Sequence, residues 1–140
     1  MIKKYIKLLL ISLIVSLLSI QCAIAAKSPE GLWLATSPFY YDRPIAIVKI
    51  YVKNNVLYGE IVKIIPLNES MKGATVANSG PVMMYGYHEK NGKWVDGKIY
   101  EQISAKTHSS SLEISDDGNH LYVRGWKGPF FRTARWDRVK

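Results

Sequence analysis

Three histidines, His88, His108 and His120, are the first residues to weigh as chemistry. A zinc site needs three or four convergent ligands. His108 and His120 fall near opposite ends of one expected hairpin, and the single cysteine, Cys22, lies in an apolar leader. No metal centre is expected. Ser109, Ser110 and Ser111 adjoin His108. Neighbours on a strand point to opposite faces, and no nucleophile elbow surrounds these serines. Asp116-Asp117 reads as a turn and Glu60 as the cross-strand partner of Lys49, which leaves no carboxylate pair for acid–base work. The residues predict a protein without catalytic groups or cofactor.

Binding fits these residues better. Met84, His88, His108 and Ser110 fall on faces expected to line an interior, a few polar groups in an apolar setting, as small-molecule sites have. Arg132 or Lys63 would meet a carboxylate head group. Phe39, Tyr40 and Tyr41, in "SPFYYDR", and the long connection 66–80 would form a mouth. The blander alternatives are a core in which His108 and Ser110 are satisfied by backbone groups, and an aromatic plug on the barrel end.

The elements that must position these residues are strands. No window from Pro29 onward keeps a 3.6-residue period. Short runs rich in Val, Ile, Tyr and Trp alternate with turn signals. Eight strands are predicted: 31–36, 44–53, 56–65, 81–89, 93–101, 106–115, 119–127 and 130–139. Asn54-Asn55, Asn91-Gly92 and Asp117-Gly118 accept positive φ and fix three hairpin registers. Lys53 then faces Val56, Lys90 faces Lys93, and Asp116 faces Asn119. The first register gathers Val48, Ile50, Val52, Leu57 and Ile61 on one face, with Tyr51 opposite Tyr58 on the other. In the second, His88 shares the aliphatic face with Met84 and Gly97, while Tyr85, Tyr87, Trp94 and Tyr100 take the other, and either face could be the inner one. Inward glycines would allow tight curvature and leave room for a ligand.

The ends of the chain carry a closure signal. "GLWLAT" (31–36) and "ARWDR" (134–138) place Gly31 and Trp33 on the first strand and Arg135 and Arg138 on the last. A guanidinium over the Trp33 indole would zip these strands together and leave few free edges.

The first 25 residues read as a cleavable signal peptide. Lys3, Lys4 and Lys7 form a basic head, Leu8 to Ile20 an apolar run too short to span a bilayer comfortably, and Ala23-Ile24-Ala25 a peptidase site. The alternative is a retained N-terminal anchor. Gln21 is too large for the residue before a lipidated cysteine. Removing three of the 19 basic residues leaves 16 against 11 acidic ones, a net charge of +5. For an exported chain that disfavours nucleic acid and suits anionic lipids, glycans or carboxylates. Residues 26–140 would form one domain, monomeric and periplasmic or secreted, with no stable membrane insertion after processing.

The pairing of Gly-x-Trp with a late arginine resembles the lipocalin and fatty-acid-binding superfamily. A fuller resemblance, over nearly the whole mature chain, is to small exported bacterial proteins of domain-of-unknown-function family 2147. It rests on "GLWLAT" (31–36), "AIVKIYVKNNVLYGEIVKI" (46–64), "WVDGKIY" (94–100), "LYVRGWKG" (121–128) and "FFRTARWDR" (130–138). The resemblance implies a lipocalin-like barrel and no established activity. Four places depart from the family pattern: Glu101-Gln102 replaces Asp-Pro, Ala105 a glycine, His108 a tyrosine and Phe131 a glycine.

The expectation is an all-β, eight-stranded, up-and-down antiparallel barrel that binds a small lipophilic or amphipathic molecule. The alternative is a cell-envelope interaction module with a filled barrel and the aromatic face of 81–101 as contact patch.

Overall fold

β-branched and aromatic residues at alternating positions suit a pleated, half-buried surface, and eight such runs are strands. They are Gly31–Thr36 (β1), Pro44–Lys53 (β2), Val56–Ile64 (β3), Val82–Lys90 (β4), Lys93–Glu101 (β5), Lys106–Ile114 (β6), His120–Lys127 (β7) and Phe130–Arg138 (β8). The computed structural model describes residues 2–6, 27–37, 43–66, 82–101 and 104–140. The expected peptidase site, Phe39, Tyr40, Tyr41 and nearly all of connection 66–80 lie outside the described residues. Residues 2–6 are helical. Among the described residues no helix is long and apolar enough to cross a membrane.

The strands pair in chain order, all antiparallel, and β8 returns to β1 to close a barrel. Two hairpins have the registers their turns dictate. Lys53 pairs with Val56 around Asn54 (φ 53°) and Asn55 (φ 62°), and Lys90 pairs with Lys93 around Asn91 (φ 53°) and Gly92 (φ 79°). Tyr51 stacks on Tyr58 at 5.5 Å between centroids, and its hydroxyl donates to Glu60 at 3.0 Å. The third hairpin keeps its register, with Leu112 opposite Val123 and Ile114 opposite Leu121. Its connection is longer than the two residues expected. Ser115 to Asn119 form a loop in which Asp117 Oδ1 accepts from Ser115 Oγ (2.6 Å) and from the Asn119 N–H (2.9 Å). Only Gly118 there has positive φ. A fourth connection, Gly128-Pro129, joins β7 to β8.

The β1–β8 seam is thin, two residue pairs long: Trp33 with Arg138 and Leu34 with Asp137. Side chains hold it. The Arg138 guanidinium lies 4.3 Å over the Trp33 ring centroid. It donates to the carbonyls of Gly118 (2.7 Å), Glu30 (2.8 Å) and Ser28 (3.0 Å). The Trp33 indole N–H donates to Pro29 O at 2.8 Å. Residues 27–30 therefore strap one end of the barrel. Of the two arginines expected here, Arg138 makes the stack, and Arg135 is exposed with its Nε 3.4 Å from Asp137. Gly31 has φ 132°, and a Cβ there would stand 2.6 Å from Arg138 Nη1. The Gly-x-Trp spacing thus clears space for the arginine that covers the tryptophan.

Candidate functional site

Up-and-down order gives the barrel two distinct ends. The strap end carries residues 27–30 and the connections 54–55, 91–92 and 115–119. The loop end carries the connections after β1, β3, β5 and β7.

The half towards the strap is solid. Trp33, Val48, Ile50, Leu57, Leu121, Val123 and Trp136 are all buried to within 1% of complete exclusion from water. Interiors pack this way when no ligand is to be admitted. The inward glycines do not leave room. A Cβ on Gly59 would meet Met84 Sδ at 2.9 Å, and one on Gly97 would meet the Tyr87 ring at 2.3–2.4 Å. Met84 and Tyr87 fill the volume that those glycines vacate.

Polar groups enter from mid-barrel to the loop end. Ser37, Glu101, His108 and Ser110 are the buried polar residues among those described. β6 presents Ser110 and His108 inward, two positions apart, opposite Gly97 and Ile99 of β5. Glu101 closes β5 at the rim and accepts a short hydrogen bond from the Ser37 hydroxyl just after β1. The Tyr87 ring lies over Gly97, the residue paired with Ser110. Neither the Tyr87 hydroxyl nor Ser110 Oγ has a hydrogen bond of good geometry. Burial pushes the Tyr87 phenol well above its usual range, with Ser110 opposing weakly. Tyr87 is therefore neutral at any physiological pH.

The expected site residues separate. Met84, His108 and Ser110 are buried inside, as their face predicts. His88 is a correction: it is exposed outside the barrel, and Tyr87 takes the inside. The register of the β4–β5 hairpin is as expected, but its alternation changes phase. Gly86 (φ 79°) and, across the ladder, Asp96 (φ 59°) both take left-handed backbone. Each works as a bulge that re-aims the next side chain. The proposed aromatic contact patch dissolves with it: Tyr87 is buried, Trp94 and Tyr100 pack against the core, and Tyr85 remains exposed. Arg132 and Lys63 are exposed at the loop end, Arg132 opposite Gly125.

Sequence reasoning overlooked Ser37 and Glu101 as a pair. They are 64 residues apart, and only barrel closure brings them together. The available signal was Glu101 itself, where the resemblance led to an expectation of Asp-Pro. Ala105, where a glycine was expected, has φ 53°, a left-handed conformation that glycine adopts without strain. Among the described residues no cluster of three or more His, Cys, Asp or Glu could hold a metal ion.

Protein HP1028 from the human pathogen Helicobacter pylori, described as belonging to the lipocalin family, is similar to this chain in fold. The two share a TM-score of 0.62 and 14% identity over 81% of this chain and 84% of that one. No curated protein matches. The pattern of a family described as "Uncharacterized protein conserved in bacteria (DUF2147)" matches residues 31–138, the whole span of the eight strands. With the closed barrel and its Trp33–Arg138 clamp in place, that match over most of its length shows that the chain belongs to this family.

Proposed function

We propose that this protein is an exported lipocalin-like barrel that binds a small lipophilic or amphipathic molecule in its loop-end half. One observation carries the reading. Buried polar groups cost stability unless they are fully satisfied. Among the described residues they are confined to one half of an otherwise apolar barrel, where Ser110, His108, Glu101 and Ser37 run from mid-barrel to the rim. Apolar burial against Met84 and Ile99 would supply affinity, and the polar row would orient one end group. Because Trp33, Trp136, Met84 and Tyr87 fill the rest, the ligand sits shallow.

Export rests on the basic head, apolar run and Ala23-Ile24-Ala25 of the leader, and a monomer on the closed sheet, which leaves no free edge. Native mass spectrometry of freshly purified protein, with titration of a fluorescent fatty acid, tests the binding. A saturable site that weakens in His108→Ala and Ser110→Ala is expected. No bound species and no saturable titration would overturn it. The filled lower barrel then favours the alternative, a module that works through its outer surface.

A further inference from the structure

Charge is not spread evenly over this barrel. Arg43, Lys63, Lys106, Lys127 and Arg132 all stand exposed at the loop end. Glu101 is the one acidic residue described there, and it is buried against Ser37. The connections outside the described residues add Asp42, Glu69 and Lys72, a net of one negative charge. At the strap end Glu30, Glu89, Glu113, Asp116, Asp117 and Asp137 are set among basic residues such as Lys53, Lys90 and Arg138. The strap end is thus close to balanced in charge, and the net positive charge gathers at the loop end.

The β7–β8 hairpin makes that end amphipathic. Between Asp117 and Asp137 there is no acidic residue, while Arg124, Lys127, Arg132 and Arg135 are all present. Its turn, Gly128-Pro129, projects Phe130, which is 76% exposed, the most exposed large apolar side chain among the described residues of the barrel. Phe131 is 49% exposed and leans on Trp126 at 4.8 Å between centroids, with Arg124 4.2 Å over its ring. Lys127, Phe130, Phe131 and Arg132 together line a surface depression of about 400 Å³.

We propose that this end is a membrane-docking surface: Phe130 at the hairpin tip enters the interface of an anionic phospholipid bilayer while the surrounding cations meet its headgroups. The arrangement favours a bilayer over an acidic protein. An aromatic tip with cations set behind it is the layout of an interfacial anchor. The cations also ring the rim of the barrel rather than clustering at one spot, which matches a planar surface of diffuse charge. Docking in this pose holds the rim against the lipid surface, where an amphipathic ligand would enter or leave.

Co-sedimentation of the purified protein with lipid vesicles tests the idea, all variants sharing one N-terminus verified by mass spectrometry. Binding to vesicles of phosphatidylglycerol in phosphatidylcholine is expected, falling steeply with salt, with little binding to phosphatidylcholine alone. Each cation near an anionic surface is worth about 5-fold in partitioning, so Lys127→Gln with Arg132→Gln should weaken binding about 30-fold. Phe130→Ser should weaken it about 10-fold, the loss from exposing a large apolar side chain. Lys53→Gln with Lys90→Gln, at the strap end, should change it little. Equal binding to neutral vesicles, an equal loss from the strap-end pair, or no co-sedimentation at all would overturn the proposal. Vesicle binding needs no ligand in the barrel, so this result and the fatty-acid titration stand or fall separately.

Discussion

Replacing Arg138 with glutamine should reveal what closes the barrel. The β1–β8 seam has two residue pairs, a Val139 N–H bond to Leu32 O and a Trp136 indole bond to Thr36 O, and the guanidinium adds the tie that also reaches residues 28 and 30. Its stack covers the fully buried Trp33 from a partly exposed position and is worth about 1 kcal/mol. A charged donor to a partly buried carbonyl, Gly118 O at 2.7 Å, adds about 1 kcal/mol. The bonds to Glu30 O and Ser28 O lie at the surface, where water replaces them, and add about 0.5 kcal/mol each. Arg138→Gln should therefore cost about 3 kcal/mol, or a Tm lower by about 12–15 °C for a domain of this size. Urea unfolding at constant m, followed by near-ultraviolet circular dichroism, gives the equilibrium value. Arg138→Lys should recover less than half, because an ammonium cannot lie flat on an indole and reach three carbonyls. Gly31→Ala carries a related penalty, since its Cβ would stand 2.6 Å from Arg138 Nη1 at φ 132°. Combined with Arg138→Gln, the clash disappears and the backbone strain stays, so the two losses should be sub-additive. A loss below about 1 kcal/mol for Arg138→Gln, or full rescue by lysine, would refute the clamp.

Other perturbations test other parts of the barrel. Ala105→Gly should stabilise by about 0.5–1 kcal/mol, measured by urea unfolding, because it relieves an alanine held at φ 53°. Gly97→Ala should destabilise by about 3 kcal/mol or more, since a Cβ would stand 2.3 Å from the fully buried Tyr87 ring. Tyr87→Phe should be neutral or slightly stabilising, because the hydroxyl it removes is buried without a well-made hydrogen bond. Ser115 and the Asn119 N–H hold the Asp117 carboxyl down at about 2. A depressed carboxylate contributes stability above its unfolded value, near 3.9, and loses it as pH falls through about 2. Ser115→Ala should raise the Asp117 midpoint in a carbon-detected NMR titration, and its stability deficit should vanish below that range.

Much of this fold could be read from local chemistry. Asn54-Asn55 and Asn91-Gly92 demand left-handed backbone, and a two-residue turn of that kind allows one register only. The alternation in β2 and β3 then has a single solution, with Val48, Ile50 and Leu57 inside. Gly31, Trp33 and a late arginine, Arg135 or Arg138, signalled closure because each residue type answers a need of the other two, and the fold selected Arg138. The interior of the second hairpin was not legible. Its register followed from Asn91-Gly92, but its faces depended on left-handed backbone at Gly86 and at Asp96, a residue whose type does not announce it.

By itself, then, the sequence determined the strands, the hairpin registers and that the terminal strands meet, because turn conformation and side-chain period act over a few residues. The tertiary structure alone decided that Tyr87 rather than His88 turns inward, that Met84 and Tyr87 fill the space above Gly59 and Gly97, and that Ser37 meets Glu101. Those outcomes depend on contacts between segments far apart in the chain. A bulge or a buried polar pair is settled by what stands across the barrel from it, which no local pattern encodes.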